Sequence, residues 1–264
     1  MQHVSRLDYG RMLESFVGAM APGGRKQYHD EISATQNYII GSRQVVGMTV
    51  YHYAKMAAAA AVDGTNQFKG VGNSLGLDEQ NTSATPTTVA VGSLTLPILD
   101  AASAAHVYQN AKVFVWPDGG AQFQAFDILD NEASDGTNVV LHLARPVRVA
   151  IAAGTFTSIY RNPYSAVASL ATIGTGLAPV VGVPQTFVTA GYYFWVATWG
   201  IAGIVQGEDL DGDDGPDVVF SRVDGSVWKK STSIAVPDSW QHAGHMVPEQ
   251  TGGKDAGIFL QLDP

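Results

Sequence analysis

The chain has no cysteine, which excludes disulfides, thiolate zinc sites and cysteine nucleophiles. Charge is scarce as well. Only 15% of the 264 residues are Asp, Glu, Lys or Arg, and the acidic ones dominate, leaving a formal net charge of -9. No Lys or Arg occurs between Arg161 and Arg222. A nucleic-acid partner needs a positive stripe to meet its phosphates, so this composition argues against one. Long uncharged apolar runs are also missing. The nearest, GYYFWVATWGIAGIV at 191–205, is too short and too rich in glycine and aromatics to read as a membrane span. The opening MQHVSRLDYG lacks the apolar core of a signal peptide. Outside a cell, a protein without disulfides needs another source of robustness, such as oligomer contacts or a bound cation.

What the chain does have is glycine (29), proline (12) and an apolar content of 45%. Low charge with many turn formers suits a turn-rich β protein better than a helical bundle. The length allows one large β domain or two small ones with a sizeable core. Near the start, SRLDYGRMLESFVGAM (5–20) places Leu13, Phe16, Val17 and Met20 at helical spacing, and Ser5 with Asp8 forms a capping box. This predicts a short amphipathic helix ended by Ala21-Pro22-Gly23-Gly24, within an N-terminal arm over 1–37. In YIIGSRQVVGMTVYHYAKM (38–56), two β-type runs flank Gly47 and the second alternates with period two, so a hairpin is expected. The alanines that follow read as a packed connection.

From residue 86 onward the pattern is β throughout. TTVAVGSLTL, AKVFVW, QAFDIL and TFTSIY read as strands, with turns at Pro117-Asp118-Gly119-Gly120, NEASDGTN and Asn162-Pro163. VVLHLARPVRVAI also reads as a strand, with Pro146 marking an edge or a break. GYYFWVATW (191–199) is apolar on both alternating faces, which predicts a strand buried on both sides. DVVFSRV and SVWKK flank Asp224-Gly225 as a second hairpin, and AGIFLQLDP is a last strand. The expected fold is mainly β: an antiparallel β-sandwich or barrel with a short N-terminal helical or extended arm. Residues 38–264 form the β-rich domain, with two packed sub-domains at 38–160 and 161–264 as one arrangement.

The densest chemistry is EDLDGDDGPD (208–217), with six carboxylates in ten residues. Asp209, Asp211, Asp213 and Asp217 are spaced like the ligands in the calcium loop of integrin-type propeller repeats, which this stretch resembles. Carboxylate oxygens around a tight turn suit Ca2+. Asp214 stands where that loop has glycine, and the motif occurs once, against a propeller. The competing reading is a solvated acidic turn, whose like charges water and salt screen. Either way the loop is structural rather than catalytic. His242 and His245 in QHAGH have a spacing that a helical turn would bring together for zinc, but Gly244 and the lack of an adjacent Glu favour two surface histidines. His52 and His142 read as sheet histidines. No G-x-S-x-G elbow or phosphate-binding loop occurs. The aromatics of 192–199 could form a sugar platform, but two apolar faces favour burial.

Three segments carry a family likeness: GSRQVVGMTVYHYAKMA (41–57), RNPYSAVASL…APVVGVPQTFVTAGYYFWVATWG (161–200) and AGIFLQLDP (256–264). Together they resemble tailed-phage virion proteins described as capsid decoration, cement or auxiliary head proteins. The most specific part is VGVPQTFVTAGYYFWVATWG, and the first 37 residues do not match. The resemblance implies a non-enzymatic protein on the head surface of a virion assembled in the host cytoplasm. It implies many copies that contact the major capsid protein and neighbouring copies of the same chain as a homo-oligomer, with no nucleic-acid or membrane partner. An alternative is a Ca2+-dependent carbohydrate- or host-surface-binding module on a virion fibre. An enzyme such as a glycan hydrolase is the least supported, because no paired acid and base can be named.

Overall fold

The computed structural model describes residues 14–17, 20–58, 68–73, 78–116, 122–170, 179–207, 217–221, 223–230, 240–247 and 256–262. Among these, every regular element is a β-strand. In chain order they are β1 (Glu14–Val17), β2 (Arg43–Val46), β3 (Thr49–Lys55), β4 (Val71–Asn73), β5 (Asp78–Ala84), β6 (Thr95–Leu99), β7 (Lys112–Trp116), β8 (Gln124–Asn131) and β9 (Asn138–Leu143). They continue with β10 (Phe156–Tyr160), β11 (Val167–Ser169), β12 (Val180–Pro184), β13 (Tyr193–Ile204), β14 (Asp217–Phe220), β15 (Val227–Lys229), β16 (Gln241–Met246) and β17 (Ala256–Gln261). The mainly β, antiparallel fold expected from composition and alternation is the fold observed.

The chain divides into two compact units. One comprises residues 1–74 and 163–264, and the other comprises 75–162. The second is thus inserted into the first, and residues 38–74 belong with 163–264. Both crossing points lie beside paired strands. Asn73 of β4 faces Val167 of β11, and Asp78 of β5 faces Tyr160 of β10.

The first unit is organised around β13. Its N-terminal half pairs with β3, its C-terminal half with β17, and Val196 and Ala197 also pair with β12. The ladder runs β1-β2-β3-β13-β17-β16-β14-β15. Alternation along β13 sends Trp195 and Ala197 into one apolar cluster with Tyr53, Phe220 and Leu260. It sends Phe194 and Val196 into another with Ala54, Met56 and Val167. The strand is therefore buried on both sides, as its two apolar faces require. Fully burying a side chain of this size contributes about 1.5–3 kcal/mol, so Trp195, Tyr53 and Phe194 anchor the unit.

The second unit is one antiparallel sheet, ordered β5-β10-β7-β8-β9-β6. Val113, Val115, Phe126, Ile128, Val139, Leu141, Leu96, Ile98 and Ile159 project from one face into a core. Val89, Tyr108, Val147 and Ile151, from connecting segments, close over it. Asp100 fixes one of those segments. Its carboxylate accepts from Tyr108 Oη (2.6 Å), Ser103 Oγ (2.5 Å) and two backbone N–H groups. Burial alone would raise this carboxyl, but the hydrogen bonds outweigh it and hold it below the usual range.

Several expectations change. Within the span 5–20 expected as a helix, Glu14–Val17 form strand β1, which pairs along β2; residues 1–13, 18 and 19 lie outside the described part. Helical spacing there loses to the unpaired edge of β2, whose free backbone groups an extended segment satisfies. TTVAVGSLTL is not one strand. Val89 makes only an isolated bridge to Ile151, a turn at 90–93 follows, and pairing begins at Thr95. VVLHLARPVRVAI stops as a strand at Leu143, before Pro146. The hairpins at Gly47 and Asp224-Gly225 form as expected, β2 with β3 and β14 with β15.

Candidate functional site

Of the acidic stretch, Asp209, Asp211 and Asp213 lie outside the described residues. Asp217 is the first residue of β14, exposed, with its Cα opposite that of His245. Its carbonyl accepts the Lys230 N–H at 2.9 Å. Among the described residues, no group of three His, Asp or Glu side chains is placed to hold a metal ion.

His242 and His245 lie on strand β16, not on a helical turn, because Gln241–Met246 pairs with β14 and β17. A bulge between Gly244 and His242 interrupts the register. His242 is exposed. His245 lies parallel to Phe259, ring centroids 5.5 Å apart. His52 is a buried sheet histidine stacked on Tyr164 at 4.8 Å, and His142 pairs with Glu132 at 3.3 Å. His52, His142 and His245 thus each have a different structural neighbour, while His242 stands exposed on β16.

The aromatics of 192–199 do not make an open platform. Phe194 and Trp195 are fully buried. Trp195 Nε1 donates to the Gln27 carbonyl at 3.1 Å, and this contact leads to a buried polar knot. Gln27 is completely enclosed. Its amide donates to the carbonyls of Glu31 (2.9 Å) and Tyr193 (3.0 Å), and its Oε1 accepts from Asn37 Nδ2 and Tyr53 Oη, both at 2.8 Å. Burial pushes the Tyr53 hydroxyl up to about 12, so it stays protonated and donating. Residues 20–37, within the span expected as an arm, are thereby tied to β3 and β13 of their own unit. The bridge between Ser33 and Tyr193 adds to this.

Among the described residues, an open aromatic patch lies elsewhere, on the outer face of the second unit's sheet. On β7 the buried Val113 and Val115 alternate with Phe114 and Trp116, which face outward. Phe114 pairs across the ladder with Ser158 on β10 and Ala125 on β8. Both neighbours are small, so neither residue directly opposite covers its ring. Larger rings surround it instead: Tyr160 edge-on at 5.2 Å, Phe123 near-parallel at 5.7 Å and Trp116 at 6.4 Å, with Trp116 and Phe123 5.0 Å apart. Trp116 is 50% exposed and Phe123 48%. Phe156, opposite Trp116 in register, extends the patch.

Beside Phe123 lies a recess of about 140 Å³ lined by Gln122, Phe123, Gln124, Ala125, Phe126, Arg145 and Arg148. Its wall is fixed by Gln124, whose Nε2 donates to the Val149 carbonyl (2.8 Å) and whose Oε1 accepts the N–H groups of Arg148 and Val149. Sequence reasoning passed over this face. The signal was present in KVFVW and FTSIY, which carry aromatics at the outward positions as well as aliphatics at the inward ones. That two-faced pattern matches the one recognised in GYYFWVATW, but here the outer face stays open. Compared with known proteins, the chain matches no family model, no curated protein and no solved structure.

Proposed function

We propose that this chain is a non-enzymatic bacteriophage capsid decoration or cement protein. It binds the head shell in many copies and stabilises contacts between major capsid subunits. The observation that carries this reading is the convergence of the three resembling segments. Residues 41–57, 161–200 and 256–264 are far apart in the chain, yet β2, β3, β13 and β17 are consecutive strands of one sheet. Their shared surface includes Ile201, paired with Phe259, whose ring meets Trp199 edge-on at 5.8 Å. Ile201 and Met48 are exposed. A rigid sheet with an apolar outer stripe suits docking on a protein lattice. Each bound copy adds interface that the intact shell has and a ruptured shell lacks, and repetition makes modest contacts decisive.

The test is a cryo-EM map of assembled particles containing this chain, with the heads purified and their copy number counted. The expected result is many copies over the lattice, each touching two or more major capsid subunits. Absence from the shell, or occurrence only at a tail or fibre tip, overturns the reading.

A further inference from the structure

In the second unit an aromatic floor on the outer face of the sheet adjoins, through Phe123, a recess lined by Arg145 and Arg148. We propose that together they bind a carboxylated saccharide. The sugar rings lie over Phe114, Trp116 and Phe123, and the carboxylate is received by Arg145 and Arg148.

Size decides between a sugar and a protein partner. The aromatic patch spans about five residues along β7 and β10, with Phe123, just before β8, at its side. With strands ~4.8 Å apart and a rise of ~3.4 Å per residue, that is roughly 10 by 15 Å. A stable protein interface needs about 800 Å² per partner, several times more. A stretch of this length matches two or three pyranose rings. Aromatic faces attract the apolar C–H faces of such rings, and a few placed polar groups then fix orientation.

Charge selects the kind of sugar. The chain is acidic overall, at -9, yet among the described residues the recess is lined by two arginines and no carboxylate. Both arginines are exposed, and Arg145 Nη2 makes a long contact, 3.4 Å, to the Ala125 carbonyl. A guanidinium matches a carboxylate in a two-pronged hydrogen-bond geometry. The recess wall is preset by Gln124, which lowers the cost of ordering it around a ligand. A neutral sugar would leave both charges unused. The shared chemistry is a carboxylate on a pyranose, whether from a uronic acid or a sialic acid.

The full-length protein is titrated at low salt with tetragalacturonate and with 3′-sialyllactose, following tryptophan fluorescence and heat of binding. Fully methyl-esterified tetragalacturonate and lactose are the neutral counterparts. At least one acidic sugar is expected to bind below about 1 mM, and its neutral counterpart at least about tenfold more weakly. Trp116→Ala is expected to weaken binding by about tenfold or more, and Arg145→Gln with Arg148→Gln to erase the preference for the acid. All three residues are exposed, so melting temperatures should match the parent. Which acidic sugar binds tells a uronic from a sialic source. The proposal is overturned if neither binds up to about 10 mM, if neutral and acidic forms bind alike, or if Trp116→Ala binds like the parent. It is equally overturned if the protein self-associates and Trp116→Ala makes it monomeric, which would mark the face as a protein interface. Attachment to heads is a separate readout, since the sugar-binding variants leave β13 and β17 intact.

Discussion

At the scale of single residues, the strongest structural commitment is Gln27. An amide buried among apolar rings costs free energy unless its two donors and its acceptor oxygen are all used. Here they are, by Glu31, Tyr193, Asn37 and Tyr53. Gln27→Ala removes four hydrogen bonds in a site closed to water and leaves a void, although the Tyr193 carbonyl keeps the Ser33 N–H and the Tyr53 hydroxyl oxygen keeps the Asn37 N–H. The expected loss is about 2–4 kcal/mol, on the order of 10 °C in the melting temperature of the first unit. Thermal or urea unfolding measures it, and a loss below about 0.5 kcal/mol, typical of a surface change, would mean that the knot does not hold residues 20–37 to the sheet. None of this was legible in the sequence. A lone Gln in GGRKQYHD carries no period and no motif, and its importance comes from Tyr53 and Trp195, which lie 26 and 168 residues away.

At the scale of elements, legibility followed the locality of the cause. The hairpins at Gly47 and at Asp224-Gly225 were readable because turn chemistry and alternation lie within a dozen residues. Gly47 has φ +60°, and Asp224 accepts from Ser226 N–H and Oγ, closing the second turn. β1 was not readable, because its cause is the edge of β2 some thirty residues on. TTVAVGSLTL failed for a similar reason: its first half is drawn away to Ile151 across the unit. Of the candidate site, the outward rings of KVFVW and FTSIY were visible as letters, but only the ladder, which sets Phe114 between Ser158 and Ala125 and Phe156 opposite Trp116, shows them gathered on one face. β13 adds a requirement of its own. Between Ala197 and Trp199 its register against β3 shifts, and Gly200 follows at φ +87°. A Cβ there would stand 1.9 Å from the Met48 carbonyl oxygen. That contact is with backbone, so it cannot be relieved by a rotamer. Gly200→Ala is therefore expected to destabilise the first unit by about 2 kcal/mol or more, combining left-handed strain with the clash. Gly154→Ala is the control: its φ is also positive, at +82°, but its Cβ would meet nothing within 4 Å. If both variants lose the same amount, strain alone accounts for the effect and the close approach of β13 to Met48 is not what demands glycine.

At the scale of the whole molecule, the insertion explains how one chain carries two separable surfaces. The second unit leaves the first between β4 and β11, which are partners in a ladder, and its own first and last strands, β5 and β10, are also partners. Each unit therefore closes on itself at the junction. Joining Ser74 directly to Pro163 would leave a short connection between Asn73 and Val167, whose Cα atoms already face each other. Closing a connection this short costs little, and turns of this length are common between antiparallel strands. The expected result is that the chain lacking residues 75–162 folds, and that residues 75–162 expressed alone fold as well, each with a cooperative thermal transition. The second unit has its own core of Val113, Phe126, Ile128, Leu141 and Ile159, at a size where a single β-sheet domain can stand by itself. Circular dichroism and calorimetry on the two pieces decide the matter. If either piece shows no cooperative transition, the units depend on each other for stability. The two proposed surfaces would then have to be studied as one. If both fold, the first piece tests binding to heads and the second tests binding to acidic sugars, and each reading stands or falls without the other.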